Sequence, residues 1–221
     1  MYQEVSLKTD VNFDNGKLSS LYFHELFWLA SSIVSKSEKL FDESKIPESG
    51  YLIQVSPELH SLIASILSDA ANIKKLLVTP STKLKGESGA QARIRKERAK
   101  RLKEAIEPFD PKELFNHKVR NTLEHFDEYL DESNVKLTKL PKAPSPVAAY
   151  NMILSHWEAF SPRVYPVRLY VSSEKTFYNM KWSVNIGNLH KEATEIVEKL
   201  SEHPSLGGQK EVGALMLRLD T

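Results

Sequence analysis

The sequence predicts a mainly α fold: a helical bundle with a C-terminal two-stranded antiparallel hairpin and a closing helix. Three observations carry that prediction. Apolar residues recur at three- and four-residue spacing over most of the chain. Ser56-Pro57 and Asp110-Pro111 pair an N-cap residue with a first-turn proline. Alternation of β-branched and aromatic residues is confined to Val164–Val184. The 221 residues read as a single domain, 1–221, with 136–163 a Pro-containing connection and 164–200 an appended β-hairpin plus helix.

A first helix is expected over about Ser19–Glu43, burying Leu21, Phe23, Leu26, Phe27, Leu29, Ala30, Ile33 and Leu40. Ser56 and Pro57 start a second helix that reaches about Leu77, with Leu59, Leu62, Ile63, Ile66, Leu67, Ala70, Ile73 and Leu76 inward. Thr79–Gly89 is a polar connection, and a basic helix follows over about Ala90–Ile106. Asp110 as N-cap, Pro111 in the first turn and Glu113 as capping-box carboxylate predict a fourth helix over Pro111–Glu132. Its core face is Phe115, Val119, Leu123, Phe126 and Leu130.

Lys136–Pro146, with Pro141, Pro144 and Pro146, reads as a linker, and Val147–Phe160 as one more short helix. Val164–Val171 and Thr176–Val184 are the hairpin strands, joined by Ser172–Lys175. The last helix spans about Ile186–Leu200, with Leu189, Ala193, Ile196, Val197 and Leu200 facing inward. Gly207-Gly208-Gln209-Lys210 reads as a turn before a short terminal segment.

Composition narrows the chemistry. There is no cysteine, which excludes disulfides, thiolate catalysis, zinc ribbons and iron–sulfur clusters. Without a secretory leader in Met1–Val5 or a long uncharged apolar run, the expectation is a soluble cytoplasmic protein with no membrane segment. No dinucleotide, P-loop or nucleophile-elbow pattern occurs, and no cofactor is implied. A net charge of +1 gives no global field. Locally, Lys74–Lys103 holds eleven basic residues against two acidic ones, and Glu104–Glu132 nine acidic against three basic. Two compatible readings follow: mutual neutralisation across an antiparallel helix pair, or a phosphate-binding strip with Arg93, Lys96, Lys100 and Lys103 as its RNA-binding cations.

The fourth helix carries the densest chemistry. Lys118–Glu128 places Arg120, Asn121, Glu124 and His125 on its polar side with Glu113, His117 and Glu128. Asn121 and His125, at i and i+4, face one another, as do Arg120 and Glu124. Arg120 and His125 are separated by roughly 140° of helix rotation, so the arginine must reach round or a second subunit must complete the site. His117, Glu113 and the neighbouring carboxylates invite comparison with a helical-bundle di-iron site. The required Glu-x-x-His pairs on two helices are absent, so no metal site is expected. The carboxylates Glu124, Asp127 and Glu128 repel phosphate.

Arg120-Asn121-x-x-x-His125 resembles the signature of the HEPN superfamily, small helical bundles that include bacterial defence and toxin–antitoxin ribonucleases. There an arginine, usually followed by a polar residue, precedes a histidine by five to seven positions. The wider run Arg-Asn-x-x-Glu-His-Phe-Asp-Glu is also similar to a group of uncharacterised bacterial proteins in which a bundle precedes a hairpin and a closing helix. The resemblance covers one helix plus the order of elements. It implies a metal-independent ribonuclease that leaves a 2′,3′-cyclic phosphate and a 5′-OH. His125 would be the acid–base group, Arg120 the phosphate clamp and Asn121 an orienting partner. It further implies RNA as substrate, a homodimer, and an antitoxin or regulatory protein as a further partner. The alternative is a non-catalytic bundle whose polar stripe forms a homodimer or partner interface. The aromatics Tyr165, Tyr170, Phe177, Tyr178 and Trp182 are expected to close the hairpin onto the bundle rather than to stack on bases.

Overall fold

The computed structural model describes residues 11–206 and 213–219, so the turn expected at Gly207–Lys210 lies outside the described residues. Helix α1 spans Leu21–Glu43 and α2 spans Pro57–Leu77. Their buried residues are nearly the expected sets, and the Ser56 hydroxyl caps α2 by accepting from the Leu59 amide at 3.2 Å. Helix α3, Gly89–Ala105, starts on a capping box between Ser88 and Gln91. Helix α6, Ile186–Ser201, starts on Asn185 and buries Leu189, Ala193, Ile196 and Leu200.

The bundle-plus-hairpin prediction is overturned. The strands β1 (Ile53–Gln54), β2 (Ala148–Leu154), β3 (Tyr165–Val171), β4 (Thr176–Asn179) and β5 (Trp182–Asn185) form one five-stranded mixed sheet in chain order. The β2–β3 pair is parallel, and the other pairs are antiparallel. Val147–Phe160 holds strand β2 where a helix was expected, so the connection 136–163 contains a strand of the sheet, while 140–147 has no regular structure, in keeping with the linker read over Lys136–Pro146. Ala, Met and Leu in Ala148–Leu154 favour helix, but pairing with two neighbouring strands satisfies the backbone and overrides that preference. The second hairpin strand is also broken. Met180, at φ 56°, turns the chain so that Asn179 faces Trp182 across a tight second hairpin.

One face of the sheet, with Ile153, Tyr170, Phe177 and Val184, joins the same buried cluster as α1, α2 and α6. The other face packs Leu154, Leu169 and Val171 against Trp157 and Val164 of the β2–β3 crossover, 155–164. That short crossover covers the outer face in place of the helix that usually links parallel strands.

The long helix expected over Pro111–Glu132 is the second correction. The Lys112, Glu113 and Leu114 amides donate to the Glu192 carboxylate of α6 at 2.9, 3.0 and 2.8 Å. Asp110 and Glu113 make no capping box. Instead, α4 spans Lys118–Glu124 and α5 spans Phe126–Lys139, separated at His125 (φ −113°, ψ 46°). A distant carboxylate has taken the amide donors that an N-terminal turn would have presented to Asp110. Val119 is buried as expected, whereas α5 buries none of its residues.

Candidate functional site

The inner face of α4 is fixed by buried polar contacts. Thr122 is fully buried, and its hydroxyl accepts from the Asn179 amide nitrogen at 2.9 Å. The Asn179 side-chain oxygen in turn accepts from the Arg168 backbone N–H at 3.1 Å. At the start of α4 the Lys74 ammonium donates to the Phe115 carbonyl and lies against His117 Nδ1, both at 2.9 Å. Helix α4 is thus held to α2 and to the sheet, and Arg120, Asn121 and Glu124 are left outside the buried core.

Asn121 and His125 are brought together, as their spacing predicts. They line an open depression of about 500 Å³ with Glu128, Tyr129 and Glu132. The His125 side chain is 57% exposed, with Nδ1 3.6 Å from the Glu128 carboxylate. Arg120 is not brought into the depression. Its guanidinium pairs with Glu124, leaving 24% of the side chain exposed and Nε buried without a partner. A surface pair of this i,i+4 kind contributes a few tenths of a kcal/mol, at most about 1, so little holds the arginine there. The break at His125 means that Arg120 and His125 no longer share one helix axis.

The acidic side of the depression is partly neutralised. Glu132 receives Lys136 and, at 3.0 Å, Lys181, and these hydrogen bonds hold its carboxyl below the usual range. The sequence pattern assigns Trp182 to packing. In the structure the Lys118 and Lys181 ammonium groups stand 4.5 and 5.1 Å from its ring centre, next to the depression. Clustered lysines were visible in the sequence; their convergence on one indole depends on the second hairpin.

Arg93, Lys96, Lys100 and Lys103 fall on one exposed face of α3, flanking the side that buries Ala92, Ala99 and Leu102. Among the described residues, the ion pairs of Arg95, Arg101 and Lys100 are made with residues other than those of α4 and α5. Helix α3 packs on α2 and α1, and its Arg95, Arg101 and Lys100 pair with Glu87, Asp14, Glu97 and Glu104. Arg95 is a structural residue. It grips Glu87 at 2.7 and 2.9 Å, donates to the Pro80 and Thr82 carbonyls, and lowers the Glu87 carboxyl to about 2. Helix α2 is the neighbour shared by α3 and α4.

Among the described residues no group of three His, Asp or Glu side chains converges as a metal site, and no helix is long and apolar enough to cross a membrane. The arrangement offers an exposed imidazole beside an amide, cations at its edge and a basic helix face elsewhere. Comparison with protein-family models, with curated proteins and with solved structures finds no match.

Proposed function

We propose that this chain is a metal-independent ribonuclease working at the α4–α5 junction. The observation that carries the proposal is His125 itself: an exposed imidazole at a helix break, facing Asn121, on a helix whose inner side is fixed. Imidazole is the side chain chemically suited to taking up and passing on a proton in such a reaction. In the reaction the ribose 2′-oxygen bonds to the adjacent phosphorus and the phosphorus–5′-oxygen bond breaks. The 2′-OH proton passes to His125, and the leaving 5′-oxygen takes a proton from water. Asn121 orients the attacking group. Arg120 exchanges Glu124 for the phosphate, whose two oxygens suit a guanidinium better than one shared carboxylate oxygen does. The α3 cations Arg93, Lys96, Lys100 and Lys103 supply salt-sensitive attraction to the RNA strand.

The test is incubation with total and transfer RNA in EDTA beside His125→Ala. The expected result is cleavage by the wild type ending in 2′,3′-cyclic phosphate, reduced at least about 10²-fold in the variant. Equal cleavage by both, or by neither, overturns the proposal.

A second reading, an interface with a second copy or with an antitoxin-like partner, is favoured by α5. That helix fully buries none of its residues and leaves Val135 54% exposed. Sedimentation of the wild type beside Val135→Glu tests it: a mass that falls in the variant supports an interface, and a monomer at every concentration overturns it.

A further inference from the structure

Opposite the junction, β2 and β3 carry a paired irregularity. Asn151 (φ 52°) and Arg168 (φ 54°) are both left-handed, between the register pairs Tyr150–Val167 and Met152–Leu169. Asparagine adopts that conformation with ease; a long side chain such as arginine rarely does. The Arg168 backbone is drawn out of the ladder into side-chain partners. Its carbonyl lies 2.9 Å from His60 Nε2, and its N–H donates to Asn179.

This unusual backbone delivers a guanidinium to the α4–α5 junction. Its central carbon stands 4.0 Å from the ring centre of Phe126, the residue after His125. Among the described residues the guanidinium makes no ion pair and no hydrogen bond, and its Nε is shut off from solvent without a partner. The Asn151 side-chain oxygen at the same irregularity is also buried and unpaired. A half-buried cation with no counter-charge is costly, and left-handed backbone at an arginine adds to that cost. Such features persist where they position a group for something outside the chain. Beside it, Tyr150 presents a 55% exposed ring with its centre 6.5 Å from that of Phe126. An unpaired guanidinium and an open aromatic ring, side by side, match the phosphate and the base of one unpaired nucleotide.

We infer that Tyr150, Phe126 and Arg168 form a nucleotide subsite next to His125, with Arg168 on the phosphate and Tyr150 under the base of single-stranded RNA. The inference rests on the ribonuclease reading and extends it, because the second cation comes from the sheet rather than from the motif helix. Arg120 can then stay on Glu124 until the strand is seated.

The experiment is fluorescence anisotropy of the full chain with a labelled 2′-O-methyl oligonucleotide, which cannot be cleaved for want of a free 2′-OH, across a salt series. Arg168→Asn removes the cation and keeps a residue suited to the left-handed backbone; Arg168→Lys keeps the charge and loses the planar fork. Tyr150→Ala changes an exposed ring and serves if either arginine variant misfolds. The expected result is about tenfold weaker binding for each of the three variants. Arg168→Asn should also lower the slope of log affinity against log salt by about 0.7, one phosphate contact, which loss of a merely structural residue does not do. Wild-type binding left unchanged in affinity and slope by all three variants overturns the subsite and leaves the ribonuclease reading standing. No binding by the wild type overturns both.

Discussion

The α1–α2–α6 layer and the α4–α5 segment are built on opposite terms. In the first, Leu26, Ile33, Ile63, Ile73 and Ile196 are wholly shielded, and Phe177, Tyr170 and Val184 dock the sheet onto the same core. In the second, α4 is a short helix without a side-chain cap, and α5 fully buries none of its residues. The first region carries the stability of the molecule. The second is held by Val119 and a few specific polar contacts on the inner side of α4, which leaves its outer face free for chemistry.

The largest expected effect tests that division directly. Phe177→Ala, at a ring only 1% exposed, should cost about 3–5 kcal/mol in chemical denaturation, while Val135→Ala on α5 should stay within about 0.5. Comparable losses at both positions would erase the distinction. Of intermediate size is Glu192→Ala, which removes the charged acceptor of three amides. It should cost about 2 kcal/mol and raise amide exchange at Lys112, Glu113 and Leu114 without unfolding α6. Unaltered exchange there would show that the segment holds itself.

The smallest effect is local and depends on pH. The Glu87 carboxyl sits at about 2 in the fold because Arg95 donates to it, below the unfolded value near 4.5. The contribution of that pair is therefore complete above about pH 4.5 and is lost as pH falls toward about 2. Exchange in the 79–88 connection should rise over that interval in the wild type, and Glu87→Gln should show the raised exchange already at neutral pH.

These contrasts also explain what could be read in advance. Ser56-Pro57 and the apolar spacing of α1, α2 and α6 are local signals that point the same way as the tertiary fold. The segment after Asp110-Pro111 is held by Glu192, a residue that no local pattern there could reveal. Likewise Ala148–Leu154 lacks clean alternation, because both faces of β2 are covered in part and its strand character comes from pairing with β1 and β3. At the candidate site the meeting of Asn121 with His125 followed from i,i+4 spacing, and so did the pairing of Arg120 with Glu124. The break between the helices and the left-handed Arg168 have no sequence signature, since arginine gives no hint of such a backbone.

The carboxylate of Glu192 also bears on the order of assembly. Its three amide partners lie 80, 79 and 78 residues earlier in the chain, so the contact closes a large loop. Closure entropy grows only slowly with length, by about 0.6 kcal/mol per doubling, but it must be met before three short hydrogen bonds return anything. Three amides of the segment before α4 lack this acceptor until α6 is in place. Arg120 and Asn121 of α4, and His125 at its end, thus follow a segment that lacks this anchor in a nascent chain that has not yet made α6.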